Sequence, residues 1–166
     1  MLGGVEDLFA PPGAAWQRVS PRLATARRIS GLITLVVLTA VAVTVLVLLQ
    51  LVTWAVVVGV LAVAFALWQW WLIGRVVRRW GYAEQAEELY ITRGALVRTF
   101  VAVPYGRMQY VDVNAGPLDR MLKIATVHLH TASPGTTAVI PGLPAEEAAR
   151  LRDRLTELGE AWAAGL

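Results

Sequence analysis

Two hydrophobic regimes divide this chain. From Ile29 to Gly74 there is no Asp, Glu, Lys or Arg, and the interval is bounded by Arg27-Arg28 on one side and Arg75 on the other. A single helix of that length would run roughly 69 Å, more than twice the ~30 Å hydrocarbon thickness of a bilayer. Two spans fit. The most polar interruption, Gln50 to Trp54, divides the interval into roughly 29–49 and 53–74, each close to the ~20 residues that one crossing requires. The pattern therefore predicts a transmembrane helical hairpin with a very short turn. It is several times too long for the apolar region of a cleaved signal peptide, about 7–15 residues.

After Trp80 the apolar positions alternate, the signature of strands with one buried face. Leu89 to Thr92 and Ala95 to Val103 flank Arg93-Gly94 and predict a hairpin turning at Gly94. Met108 to Asn114 predicts a further strand, with Gln109, Val111 and Val113 on one face and Met108, Tyr110 and Asp112 on the other. Ala125 to Thr131 places Val127 and Leu129 opposite His128 and His130. Ser133-Pro134-Gly135 turns the chain into a short last strand, Thr137 to Ile140. Pro144-Ala145-Glu146-Glu147 then opens a helix, with proline in the first turn and acids at the positive dipole end. Leu151, Leu155, Leu158 and Trp162 give that helix one apolar stripe, predicted to cap the open end or one face of about six short antiparallel strands.

The ends of the hairpin carry the charge that orients it. Arg18, Arg22, Arg27 and Arg28 precede the first span, Arg75, Arg78 and Arg79 follow the second, and the turn has none. By the positive-inside rule both termini are expected in the cytoplasm, with Trp54 at the outer turn and Trp68, Trp70 and Trp71 near the inner exit. Residues 1–28 read as a cytoplasmic tail, loose around Pro11-Pro12-Gly13. Its basic juxtamembrane end, from Arg18 onward, is a candidate surface helix begun near Pro21.

Composition narrows the chemistry. The chain of 166 residues is 57% hydrophobic and 16% charged, which suits a membrane protein and excludes disorder over most of its length. It has no cysteine, so disulfides, thiolate-bound zinc, iron–sulfur clusters and cysteine nucleophiles are excluded together. The net charge of +3 does not by itself indicate nucleic-acid binding. Thr34, Thr39, Thr44, Gln50, Thr53 and Gln69 are the polar residues of the spans, with Ser30 at the boundary, and none ionises, which argues against an ion or proton pathway. Ala55 and Gly59, or Ala62 and Ala66, have the spacing that lets another helix approach closely.

Within the second half, Val103-Pro104-Tyr105-Gly106-Arg107-Met108-Gln109-Tyr110-Val111-Asp112-Val113, then Gly116-Pro117-Leu118-Asp119-Arg120, then Ala125 to Ala132, carry a resemblance. Together with Arg93-Gly94, Ile140-Pro141-Gly142-Leu143 and the hairpin, this run resembles the bacterial PH-like (pleckstrin-homology-like) membrane proteins of the YdbS-like group, over most of residues 16–158. The resemblance implies an α+β membrane protein: a two-helix hairpin followed by a PH-like antiparallel β-barrel or sandwich, residues 80–166, capped by the C-terminal helix. It implies no reaction. In that group a glycine commonly follows the Arg120 region, and here Lys123 occupies the place. A turn needing positive φ would strain a lysine there, so an altered turn is expected.

No catalytic constellation appears. His128 and His130 share a strand face, yet lack a third donor, and a solvated face accounts for them better than a metal site. No serine lies in a nucleophile elbow, and no glycine-rich phosphate loop precedes a helix. The candidate binding or loop-structuring residues are Arg93, Arg98, Arg107, Gln109, Arg120 and Lys123. Two uses present themselves: recognition of anionic lipid headgroups, or satisfaction of Asp112, Asp119 and turn carbonyls, with Arg107 and Arg120 favoured for the second. The expectation is a non-enzymatic scaffold without cofactor or metal at the cytoplasmic face of the bacterial plasma membrane. Its expected partners are membrane lipids and another protein, a paralogue or a second copy, and no nucleic acid.

Overall fold

A computed structural model of the chain describes residues 15–94, 98–131 and 138–163. It contains two compact units. One is formed by residues 24–75; the other is discontinuous, built from residues 1–23 and 76–166.

The first unit is the hairpin. Helix α1 (Arg22–Leu48) and helix α2 (Val52–Val77) are joined by three residues. The turn is a Schellman cap: the Leu51 amide donates to the Leu46 carbonyl (2.8 Å), the Gln50 amide donates to the Val47 carbonyl (3.0 Å), and Gln50 takes the left-handed conformation at φ 62°. Both helices are long and apolar enough to cross a membrane, and Val36, Val41, Leu48, Val60 and Leu61 are among the many large apolar side chains left exposed. Such a surface needs lipid around it. The less exposed positions fall on one stripe of each helix, Gly31, Leu35 and Thr39 on α1 and Ala55, Ala62 and Ala66 on α2. The small-residue spacing of α2 thus lies on the stripe that the hairpin's own packing covers. At its base, Arg28 donates to the Trp70 carbonyl (3.2 Å) and its guanidinium lies 4.5 Å from the Trp70 ring centroid.

Among the described residues the second unit holds seven strands in two antiparallel sheets. The first sheet runs β1 (Gln17–Arg18), β2 (Gly81–Glu84), β3 (Glu88–Arg93) and β4 (Thr99–Pro104) in spatial order. The second runs β5 (Met108–Asn114), β6 (Ile124–Thr131) and β7 (Ala138–Pro144), with the five-residue helix α3 (Pro117–Met121) between β5 and β6. Helix α4 (Ala145–Ala163) closes the chain. Its Leu151 and Leu155 are fully buried together with Leu89, Ile91 and Val103 of the first sheet and Val127, Leu129 and Ile140 of the second. No hydrogen bonds join the two sheets into a closed barrel among the described residues, so the architecture is the sandwich alternative.

Three expectations change. Within the expected tail, residues 17–18 are a strand: Arg18 pairs with Gly81 and Gln17 with Tyr82, while Val19 and Leu23 are buried, and the loose stretch expected around Pro11-Pro12-Gly13 lies outside the described residues. No separate surface helix follows, because α1 begins at Arg22 and continues without a break into the first span. The last strand continues past Ile140 to Pro144. It does so through a bulge, since Ala125 pairs with Leu143 and Val127 with Ile140, leaving one extra residue around Pro141-Gly142. Proline tolerates a bulge, where its missing N–H costs no ladder bond, and Gly142 supplies a φ of 69°. The expected strand start at Ala95 and the Ser133-Pro134-Gly135 turn lie outside the described residues.

A β5–α4 groove and a basic concavity

Strand β5 sits at one edge of the second sheet, paired only with β6. Its register shifts between Met108, opposite Thr131, and Tyr110, opposite His130, so Gln109 is an unpaired bulge residue. The shift moves Met108 off the Tyr110 face and onto that of Val111 and Val113. Those positions face the core in register with Leu129 and Val127, yet no residue of β5 is fully buried. The core is open here. The opening is a groove of about 340 Å³ between β5 and α4, with Met108, Val111 and Leu155 as apolar lining and Gln109, Thr156 and Glu160 as polar lining. On the opposite face, Tyr110 stacks on His130 at 4.2 Å between ring centroids, and His128 lies across from Asp112. Among the described residues no group of His, Asp and Glu is arranged to hold a metal.

The second concavity, about 400 Å³, lies beside the α3–β6 turn and the start of α4. Arg22, Arg120 and Lys123 line it, with Glu146 as the opposing charge and Ile124 on the apolar side. Arg22 is anchored there by donating to the Leu122 carbonyl (3.3 Å). Lys123 keeps a left-handed backbone, φ 54°, so the turn does not change its geometry to suit a side chain. Its carbonyl accepts from the Ala145 amide (3.2 Å), tying the turn to the first residue of α4.

Of the six sequence-predicted residues, Arg120 and Lys123 come together in this concavity and Gln109 lines the groove. Arg93 ends β3, 6.0 Å from the Trp80 ring centroid; Arg98 precedes β4; Arg107 lies in a single 3-10 turn, Tyr105–Arg107. The carboxylates expected to hold the two arginines are engaged otherwise. Asp119 accepts from the Gly116 amide (3.2 Å) and caps α3, while Asp112 accepts from the Asn114 side chain (3.4 Å). Among the described residues neither Arg107 nor Arg120 forms an ion pair, and Asp119 caps α3 from within its own turn.

The polar network that does hold the unit escaped the sequence reading. Buried Tyr82 lies 2.6 Å from the Gln17 side-chain oxygen and 2.9 Å from Glu147 Oε1. One hydroxyl proton serves one acceptor; donation to the Glu147 carboxylate leaves the Gln17 amide, turned over, to donate back to Tyr82. Arg150 bridges Glu147 (2.6 Å) and Glu84 (2.5 Å). Burial, then the Glu147 carboxylate, pushes the Tyr82 hydroxyl far above the ordinary tyrosine range, and the Arg150 guanidinium holds Glu147 below the ordinary carboxylate range. The network joins β1, β2 and α4 across long sequence distances, which no local pattern reveals.

A helical hairpin joined to two antiparallel sheets and a closing helix defines a membrane-anchored PH-like protein, and the family comparison agrees. Residues 23–159 match the family model described as Bacterial PH domain, and the chain belongs to that family. The transmembrane protein YdbS of Bacillus subtilis (strain 168) is 39% identical over 98 residues, 53% of this chain and 60% of that protein. The match thus spans less than two thirds of that relative. A solved structure of a DUF1696 family protein with a pleckstrin-homology domain, from Shewanella loihica PV-4, aligns over 50% of this chain and 73% of its own, at 16% identity and a TM-score of 0.39.

Proposed function

We propose that the protein is a non-enzymatic interaction module anchored at the cytoplasmic face of the plasma membrane, which captures an extended segment of another membrane-associated protein along β5. The observation that carries this reading is an edge strand, paired with β6 on one side only, beside a groove lined by Met108, Val111 and Leu155. Strand addition gives affinity through main-chain hydrogen bonds, and the adjoining groove selects side chains. The clusters Arg18, Arg22, Arg27, Arg28 and Arg75, Arg78, Arg79 support the cytoplasmic placement. Confinement to one membrane surface raises the effective concentration of two such partners, so a small interface suffices.

A photo-crosslinking residue at Thr156, inside the groove, is expected to give a discrete protein adduct in native membranes, and one at Asp153, outside it, none. Gly159→Trp, which fills the groove, is expected to abolish the adduct while the thermal midpoint is retained. Equal adducts from both positions, or an adduct indifferent to Gly159→Trp in a folded protein, would refute the reading. Orientation is checked separately with single cysteines at Val52 and Glu160, since the chain has none of its own. An impermeant thiol reagent on intact cells is expected to label the first only.

A further inference from the structure

We propose that the concavity bounded by Arg22, Arg120 and Lys123 is a site for a phosphoryl anion, and that its occupant is the headgroup of an anionic phospholipid. Three observations converge. Two cations of one turn, Arg120 and Lys123, and a third from the start of α1, Arg22, line one cavity, opposed by a single carboxylate, Glu146. All three are exposed at its mouth, and among the described residues none is in an ion pair. Asp119, the nearest acid in sequence, is engaged by the Gly116 amide. A guanidinium pair with an ammonium is well matched to phosphate oxygens, which accept charge-assisted hydrogen bonds from each.

The backbone adds the second line of argument. Lys123 is the only lysine in the chain, and it sits at φ 54°, where a side chain is unfavourable and glycine is not. A residue held against its local preference points to a role for its side chain. The third line concerns the source of the phosphoryl group. Met121, between Arg120 and Leu122, is 83% exposed, the most exposed large apolar side chain described. An apolar tip flanked by cations suits the headgroup–acyl boundary better than bulk water. Arg22 also opens the very helix whose uncharged stretch starts at Ile29. This inference does not depend on the β5 groove.

The test uses the full chain in a non-ionic detergent, following thermal unfolding while dioctanoyl phosphatidylglycerol, dioctanoyl phosphatidylcholine or inorganic phosphate is added. Phosphatidylglycerol is expected to raise the midpoint saturably and phosphatidylcholine to leave it unchanged, because a ligand bound only by the folded state stabilises it. Lys123→Gly and Arg120→Gln are each expected to raise the half-saturating concentration of phosphatidylglycerol at least tenfold; Arg152→Gln, on α4, is expected to leave it unaltered. Lys123→Gly relieves the left-handed lysine, so its unliganded midpoint is expected to match or exceed the parent's, which separates lost binding from lost folding. If inorganic phosphate saturates a Lys123-dependent site and the lipid adds nothing, the phosphoryl site stands and the lipid assignment falls. If both variants bind phosphatidylglycerol within twofold of the parent, or phosphatidylcholine binds as well as phosphatidylglycerol, the proposal is overturned.

Discussion

Gly142→Ala is the most informative single change in the β unit. Gly142 adopts φ 69°, and its carbonyl accepts from the Ser20 amide at 2.9 Å, which fixes the bulge of β7 against the residues that lead into α1. An added Cβ would lie 2.5 Å from Leu23 Cβ and 2.9 Å from its Cγ and Cδ2. Leu23 is only 5% exposed and has little room to yield. The left-handed backbone costs an alanine about 1–2 kcal/mol. Overpacking a filled site costs about 1–3 kcal/mol more. Reduced freedom of the unfolded chain returns roughly 0.4–1 kcal/mol. The net expectation is a loss of about 1–4.5 kcal/mol, a substantial part of the 5–15 kcal/mol typical of a folded domain. Urea unfolding in mild detergent, read by far-ultraviolet circular dichroism, is the assay. With an m-value of about 2 kcal/mol/M, the midpoint is expected to fall by roughly 0.5–2 M. Gly159→Ala is the matched control: it lies inside α4 with only the Tyr105 carbonyl at 4.0 Å from the new methyl, and alanine there is expected to add about 0.5–1 kcal/mol. A Gly142→Ala midpoint within about 0.5 kcal/mol of the parent, or one that moves upward with the control, would show that neither the φ nor the Leu23 packing has been assigned correctly.

Other expectations follow from the network and the turns. Tyr82→Phe removes a buried hydrogen bond to a carboxylate and is expected to cost about 1.5–3 kcal/mol in the same urea assay. Because folding raises the Tyr82 and Tyr105 hydroxyls above their ordinary value of 10.0, their contribution is intact below that pH and is lost as pH rises beyond it; tyrosinate absorbance is expected to report this, with part of the signal appearing only on unfolding. Glu147 has the opposite sign: its lowered value gives stability present at neutral pH that declines as pH falls below 4.5, and Glu147→Gln is expected to flatten that acid limb. Gln50→Gly, at the left-handed cap of the hairpin, is expected to leave the helical content in detergent unchanged or raised by circular dichroism.

What was legible in the sequence was local. The uncharged interval gives the hairpin because burial in hydrocarbon tolerates no ionised side chain, and the observed helices end and begin at Leu48 and Val52, beside the predicted break. Strand β5 was placed to the residue, and Val127 and Leu129 are buried while His128 and His130 are not. The α4 stripe holds at Leu151 and Leu155 and fades toward Trp162, which is 45% exposed, as the helix runs past the core. Strand β1 escaped because two residues carry no periodicity, and its partner Gly81 lies beyond both spans. The β5 face assignment failed at Met108 because a bulge inverts an alternation without altering composition. Arg120 and Lys123 could be named as candidates, but Arg22 could not be joined to them, since its approach to Leu122 depends on tertiary structure.

Pairing of Arg18 with Gly81 makes the transmembrane hairpin an insertion within the β unit rather than a preface to it. During synthesis the first strand leaves the ribosome early and waits while both spans are made. The sheet gains its edge only when the chain has come back to the side from which it left. Completion of that unit therefore waits on both spans, since without β1 the sheet would end at β2.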